Sequence, residues 1–161
     1  MSRELVFETL DRMGISYETV NHPPVYTIEE MDKLGLFTGG AVCKNLFLRD
    51  AKGRRHFLVS LQKDKQADLR KLSEALETSR LSFASEERLM RYLKLSKGAV
   101  TPFGILNDEG REVEVVFDEA LSGEKRLGVH PNVNTETVWI ACEDLRRVIE
   151  AHGNPFRTVP I

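Results

Sequence analysis

Apolar residues at Leu5, Val6, Leu10 and Met13 fall on one helical face, so a first helix is predicted, capped by Ser2 and stopped by Gly14. A short strand is predicted near Ile15 to Val20. His22-Pro23-Pro24 makes a rigid break, and Thr27 with Glu30 forms a capping-box pattern that opens a short second helix, ended by Gly39-Gly40. From Cys43 to Arg49 and from His56 to Leu61, strand-forming runs flank the polar turn Lys52-Gly53, which predicts an antiparallel hairpin. Helices follow near Ala67 to Leu76 and Glu86 to Leu93, strands at Val113 to Phe117 and Thr137 to Ala141, and a last helix over Glu143 to His152 stopped by Gly153. Hairpins mixed with helices define an α+β chain. No linker, low-complexity tract or internal repeat divides it.

Length and composition narrow the class. The 161 residues fit one domain, 1–161, and 41% hydrophobic with 30% charged residues describes a globular protein. No membrane-spanning run is present, and the start MSRELVFETLDRMG has acids among its apolar residues rather than a signal-peptide core, so a cytoplasmic protein is expected. Two cysteines, Cys43 and Cys142, have neither disulfide-framework nor zinc spacing. The four histidines are dispersed, there is no HExxH and no Walker loop, and neither a metal nor another cofactor is expected. A net charge of −2 argues against coating long nucleic acid, and neither DNA nor a membrane is an expected partner. It permits binding to one end of an RNA. Arg88, Arg91, Lys94 and Lys97 recur every third position, either as a solvated helix face balanced by Glu86 and Glu87 or as a phosphate-tracking stripe.

Three segments carry the candidate chemistry: KNLFLRD at Lys44 to Asp50, GAVTPFGILND at Gly98 to Asp108, and GVHPNVNT at Gly128 to Thr135. Strand alternation puts Lys44 in line with Leu46 and Leu48, and Asn45 with Phe47 on the other face. A lysine there is either a frayed strand start with its ammonium in water or a fixed positive charge. In the second segment Gly98 to Pro102 forms a GxxxP loop, where glycine admits close backbone approach and proline stiffens the turn. Thr101, Asn107 and Asp108 are polar supports of that loop. In the third, Pro131 restricts His130 to extended geometry, and histidine exchanges a proton most readily near neutral pH. The Cys43 thiol beside Lys44 is read as a buried bystander, because adjacent strand residues face opposite sides. Ser60 and Ser96 lack a nucleophile-elbow context.

The order and content of these segments resemble the prolyl-tRNA editing-domain family, the YbaK-like and ProX-type deacylases, from about Leu5 to the final helix. The resemblance implies a mixed, mostly antiparallel sheet flanked by helices. It also implies a free-standing hydrolase that removes an amino acid wrongly attached to tRNA, with alanine on proline tRNA the expected substrate. Lys44 aligns with the family's essential lysine, facing either a tRNA phosphate or the charge that builds on the ester carbonyl. His130 matches the GxHP position and is read as a positioner before a general base. Asn45, Gly98, Thr101, Pro102, Gly128 and Pro131 are the implied substrate-binding positions. His22 is a candidate for the pocket wall, and the segment Thr27 to Phe37 with Met31 is the candidate for the wall that excludes larger aminoacyl groups. The expected partner is the aminoacylated 3′ end of tRNA, with prolyl-tRNA synthetase a further one. Two alternatives stand beside this: a deacylase for Cys-tRNA or another small aminoacyl-tRNA, and a noncatalytic synthetase-associated tRNA-binding module.

Overall fold

The computed structural model describes residues 2–24 and 40–161. Helix α1, Ser2–Arg12, buries Val6 and Leu10 completely, as its apolar stripe requires. Ser2 is already the first helical residue and not a cap; its hydroxyl is taken up by two asparagines described below. Ile15 turns back into the core, with its N–H donating to Leu10 O, so the chain extends only from β1, Glu18–Asn21. The predicted second helix at Thr27 and its stop at Gly39 lie outside the described residues.

Strands β2, Ala41–Arg49, and β3, His56–Gln62, form the expected antiparallel hairpin, in register Leu46↔Val59. Asp50 closes its turn by accepting from the backbone N–H of Arg54 and Arg55 at 2.8 and 3.1 Å. Helix α2, Leu69–Ala75, is capped by Asp68, and α3 spans Glu86–Leu93 behind the Ser85 cap. Between them β4, Ser82–Phe83, pairs with the far end of β2. The remaining elements are β5, Val113–Asp118, β6, Leu127–Val129, β7, Glu136–Ile140, α4, Cys142–His152, and β8, Phe156–Val159. The strands form one sheet in the order β1-β7-β6-β2-β3-β5-β8, with β4 on β2. Pairings β1–β7, β6–β7, β2–β3 and β2–β4 are antiparallel, and β2–β6, β3–β5 and β5–β8 are parallel. This is the mixed, mostly antiparallel α+β arrangement expected.

The alternation along β2 sorts two cores. Cys43 and Phe47 join the larger one with Val6 and Leu10 of α1, Leu89 and Leu93 of α3, and Leu145 and Ile149 of α4. Leu46 and Leu48 face the smaller one, closed by Leu72 and Leu76 from α2 and its C-cap.

Gly40 shows how tightly β2 is entered. A Cβ there would stand 2.6 Å from the Arg126 carbonyl oxygen and 2.7 Å from the Trp139 ring. The carbonyl also accepts from Ala41 N at 2.9 Å and cannot retreat without breaking that bond. Gly40→Ala is therefore expected to destabilise by about 1–3 kcal/mol. Urea unfolding checks this, and an unchanged midpoint would show that the strand entry yields.

Candidate active site

The candidate site lies where the sheet opens. Strand β6 pairs with β2 only at Ala41↔Leu127 and Val42↔Gly128, while β2 continues to Arg49. Beyond Val42 the chain after β6 swings away through His130 and Pro131. The gap is a pocket lined, among the described residues, by Val42, Cys43 and Asn45 on one side and Gly128, Val129, His130 and Thr137 on the other.

Side chains tie the three sequence segments around this gap. Asn45 accepts from the buried Ser60 hydroxyl at 2.6 Å and donates through Nδ2 to Val100 O at 3.2 Å, bridging the hairpin to the GxxxP loop. Thr101, fully buried, donates its hydroxyl to His130 O at 2.6 Å and accepts from Phe103 N at 3.4 Å. Pro102, also buried, starts the 3-10 stretch Pro102–Asn107 at a position where its missing N–H is no loss. Gly98 sits in the preceding single turn, Lys97–Ala99. Asp108 fastens the loop end, its Oδ2 accepting from Val113 N and from Asn154 Nδ2, each at 2.8 Å. Asn45 and Thr101 thus spend polar groups on internal ties, and a substrate would meet what those ties leave over.

The imidazole of His130 has a defined polarity. A carbonyl only accepts, so the 2.8 Å contact between His130 Nδ1 and Glu136 O puts the proton on Nδ1 and leaves Nε2 with its lone pair. Burial lowers the His130 pKa and nearby His22 pushes the same way, against the opposing bond to Glu136. The ring is therefore held neutral, as a hydrogen-bond acceptor. His22 lies 5.9 Å away between ring centroids; its Nδ1 meets Pro23 O and its Nε2 meets Thr137 Oγ1, both at 2.9 Å. By the same logic the His22 Nδ1 carries a proton toward the Pro23 carbonyl. His22 thus stands beside the pocket as a neighbour of two of its lining residues.

Gly128 lines the pocket and lets the Trp139 ring lie against β6, since a Cβ would stand 2.9 Å from that ring. Pro131, in the same loop as His130, is buried. Lys44 leaves β2 on the other face from Asn45, half-buried, and its Nζ donates to Lys65 O. Lys65 is fixed in turn by a 2.6 Å ion pair with the buried Asp118. Lys44 thus projects from the opposite face of β2 to the pocket-lining Asn45, and among the described residues only His130, Asn45 and Gly128 of the expected site residues line the pocket itself. The Met31 segment lies outside the described residues. The Cys43 thiol is pushed up to about 12, by burial first and by Cys142 and Glu124 next, as befits a core residue.

The basic stripe on α3 is not uniform. Arg88 turns inward: its Nη1 donates to Gly53 O at 3.1 Å and lies 3.1 Å from His56 Nε2. Arg91 pairs with Glu87 at 3.5 Å, and Lys94 ends the helix in the left-handed conformation. Sequence reasoning set Ser60 aside because it looked for a nucleophile; a lone serine inside the apolar run HFLVSLQ was the available sign of a buried polar tie.

The fold is that of an aminoacyl-tRNA editing domain. The chain belongs to that family, whose model matches residues 22–148. It is 50% identical over 160 residues to the prolyl-tRNA editing protein ProX of Acetoanaerobium sticklandii, covering 99% of this chain and 98% of that protein. It is 37% identical over 150 residues to the prolyl-tRNA synthetase associated domain-containing protein 1 of Danio rerio, covering 92% and 81%. A crystal structure provisionally described as a trans-editing enzyme for prolyl-tRNA synthetase superposes with a TM-score of 0.74 at 19% identity, over 99% of this chain and 97% of that one, which supports the fold. Among the described residues no helix is long and apolar enough to cross a membrane.

Proposed function

We propose that this protein is a free-standing editing enzyme that hydrolyses the ester between a mischarged amino acid and the 3′ end of tRNA, with Ala-tRNA(Pro) the preferred substrate. The observation that carries the reading is the tie of all three signature segments around one opening, through Asn45 to Val100 and Thr101 to His130. Membership of the editing family and half identity to a prolyl-tRNA editing protein support it.

In this reading the acceptor end enters the gap between β2 and the His130 loop. Water attacks the ester carbonyl carbon, charge develops on its oxygen, and the C–O bond to the ribose breaks as the ribose oxygen takes a proton. A neutral His130, presenting Nε2 as an acceptor, orients water, the 2′-hydroxyl or the substrate amine. A lowered pKa makes it a weak base, which favours orientation over proton abstraction. Lys44 supplies a fixed positive charge that is worth most where water is excluded. Excluding proline is a matter of size, because a packed wall resists extra methylenes, whereas a smaller group loses little contact. The protein acts in the cytoplasm, on tRNA, with prolyl-tRNA synthetase as an additional partner.

The test is kcat/KM for Ala-, Ser-, Cys- and Pro-tRNA. Alanine is expected to lead, serine to trail because its hydroxyl loses water on entering an apolar pocket, and proline to be spared. A preference for cysteine would overturn the alanine assignment. Among the described residues no three His, Cys, Asp or Glu side chains group as metal ligands, so turnover is expected to survive exhaustive chelation. Loss of activity restored by a divalent ion would contradict that.

A further inference from the structure

Helix α1 precedes the residues matched by the family model, which begin at His22, yet it reaches into the signature loops. Arg3 Nε donates to Glu136 Oε1 at 2.7 Å, and the Glu136 side chain is only 9% exposed. The backbone carbonyl of that same Glu136 accepts from His130 Nδ1 at 2.8 Å. The Arg3 guanidinium is itself fixed over the Phe7 ring, 4.9 Å from its centroid. One residue earlier, the Ser2 hydroxyl accepts from Asn107 Nδ2 and from Asn132 Nδ2, both at 2.8 Å, joining the second and third signature segments at one oxygen. Asn132 adopts a left-handed conformation, φ 64°, two residues after His130, a backbone state asparagine enters more readily than other non-glycine residues, and its side chain is tied there to Ser2. Val6 and Leu10, fully buried, anchor the helix that presents Ser2 and Arg3.

We propose that α1 is a positioning element of the active site: Arg3 acting through Glu136, and Ser2 acting through Asn132, hold the loop that aims the His130 imidazole. This rests on the reading that His130 faces the substrate. Arg3 touches no reacting atom. It fixes the residue whose carbonyl sets the ring's tautomer and direction, and misplacement of an orienting group by a fraction of an ångström lowers turnover more than binding. A simple surface ion pair would contribute a little stability and leave the imidazole where it is.

The experiment compares Arg3→Met, Arg3→Lys and Glu136→Gln with wild type in the full-length protein, reading kcat and KM on Ala-tRNA together with the imidazole ¹⁵N shifts of His130. Arg3→Met is expected to lower kcat by about ten-fold with KM changed less than about two-fold, and to shift or broaden the His130 Nδ1 signal. Arg3→Lys, whose ammonium reaches one carboxylate oxygen, restores part of both. Glu136→Gln keeps the carbonyl and the side-chain shape and is expected to reproduce the loss; it decides the matter if Arg3→Met does not fold. A folded Arg3→Met or Glu136→Gln with wild-type kcat and an unmoved His130 spectrum overturns the proposal. Should wild type itself fail to deacylate, the editing assignment falls and the His130 spectra alone decide whether the clamp exists.

Discussion

Lys44→Ala is expected to slow deacylation by on the order of 10²–10³-fold while leaving the fold intact, the size of loss seen when a group that stabilises developing charge is removed. The fold should survive because Lys44 is only half-buried at the pocket end of β2, and the packing of that face rests on Leu46 and Leu48. The Nζ bond to Lys65 O fixes where the charge stands. Arginine is not expected to rescue it, since a planar fork cannot make the same single contact from a compact ammonium. Single-turnover rates together with circular-dichroism melts measure both halves. A folded Lys44→Ala enzyme with near wild-type turnover would remove Lys44 from the mechanism.

Stability is expected to fall steeply as the pH drops from about 6.5 to about 4, through His56. This ring is 2% exposed and lies between Phe47, 5.6 Å away, and Tyr92, 4.1 Å away. Arg88 can only donate, so His56 Nε2 accepts and the ring's proton sits on Nδ1. Burial first, and the Arg88 charge next, push the His56 pKa down to about 4, with Asp50 opposing. The unfolded chain therefore takes up a proton near pH 6.5 that the folded chain refuses until about pH 4. Above that window the contribution is fully present; within it, about 2 kcal/mol is lost by pH 5 and about 3 kcal/mol by pH 4. His130, lowered for the same leading reason, adds in the same direction. For Asp50 burial works against ionisation, but the backbone N–H groups of Arg55, Arg54 and Gly53 outweigh it and hold the carboxyl below its ordinary 3.8, so its share is lost only at lower pH. Urea unfolding at pH 7 and pH 5 for wild type and His56→Phe, which keeps the stack but cannot titrate, isolates the effect. An equal pH dependence in the two proteins would assign the acid lability elsewhere.

Local elements were legible in the sequence where local physics decides them. The β2–β3 hairpin follows from strand-forming runs around Lys52-Gly53, and α3 runs over Glu86–Leu93 as its apolar spacing predicts. Strand β6 was not, because three residues centred on a glycine have no periodicity; it exists because Gly128 lets Trp139 lie against it and because β2 offers an open edge. The same holds for β8, whose pairing with β5 is set across the sheet. In the site, the residue types were visible and their pairings were not. Thr101 to His130 spans 29 positions and Asn45 to Val100 spans 55, distances over which no sequence spacing speaks. Arg88 looked like one more solvated charge, since helical periodicity cannot reveal that a hairpin turn will pack over it.

The central claim is that this chain hydrolyses the ester of mischarged tRNA. The most direct measurement is release of free alanine from purified, 3′-labelled Ala-tRNA(Pro) by substoichiometric protein, beside Lys44→Ala and a no-protein control. The account predicts multiple turnovers by wild type and release slowed by on the order of 10²–10³-fold in the variant. Binding of the labelled tRNA with release no faster than in the control would contradict it and make the protein a tRNA-binding module instead.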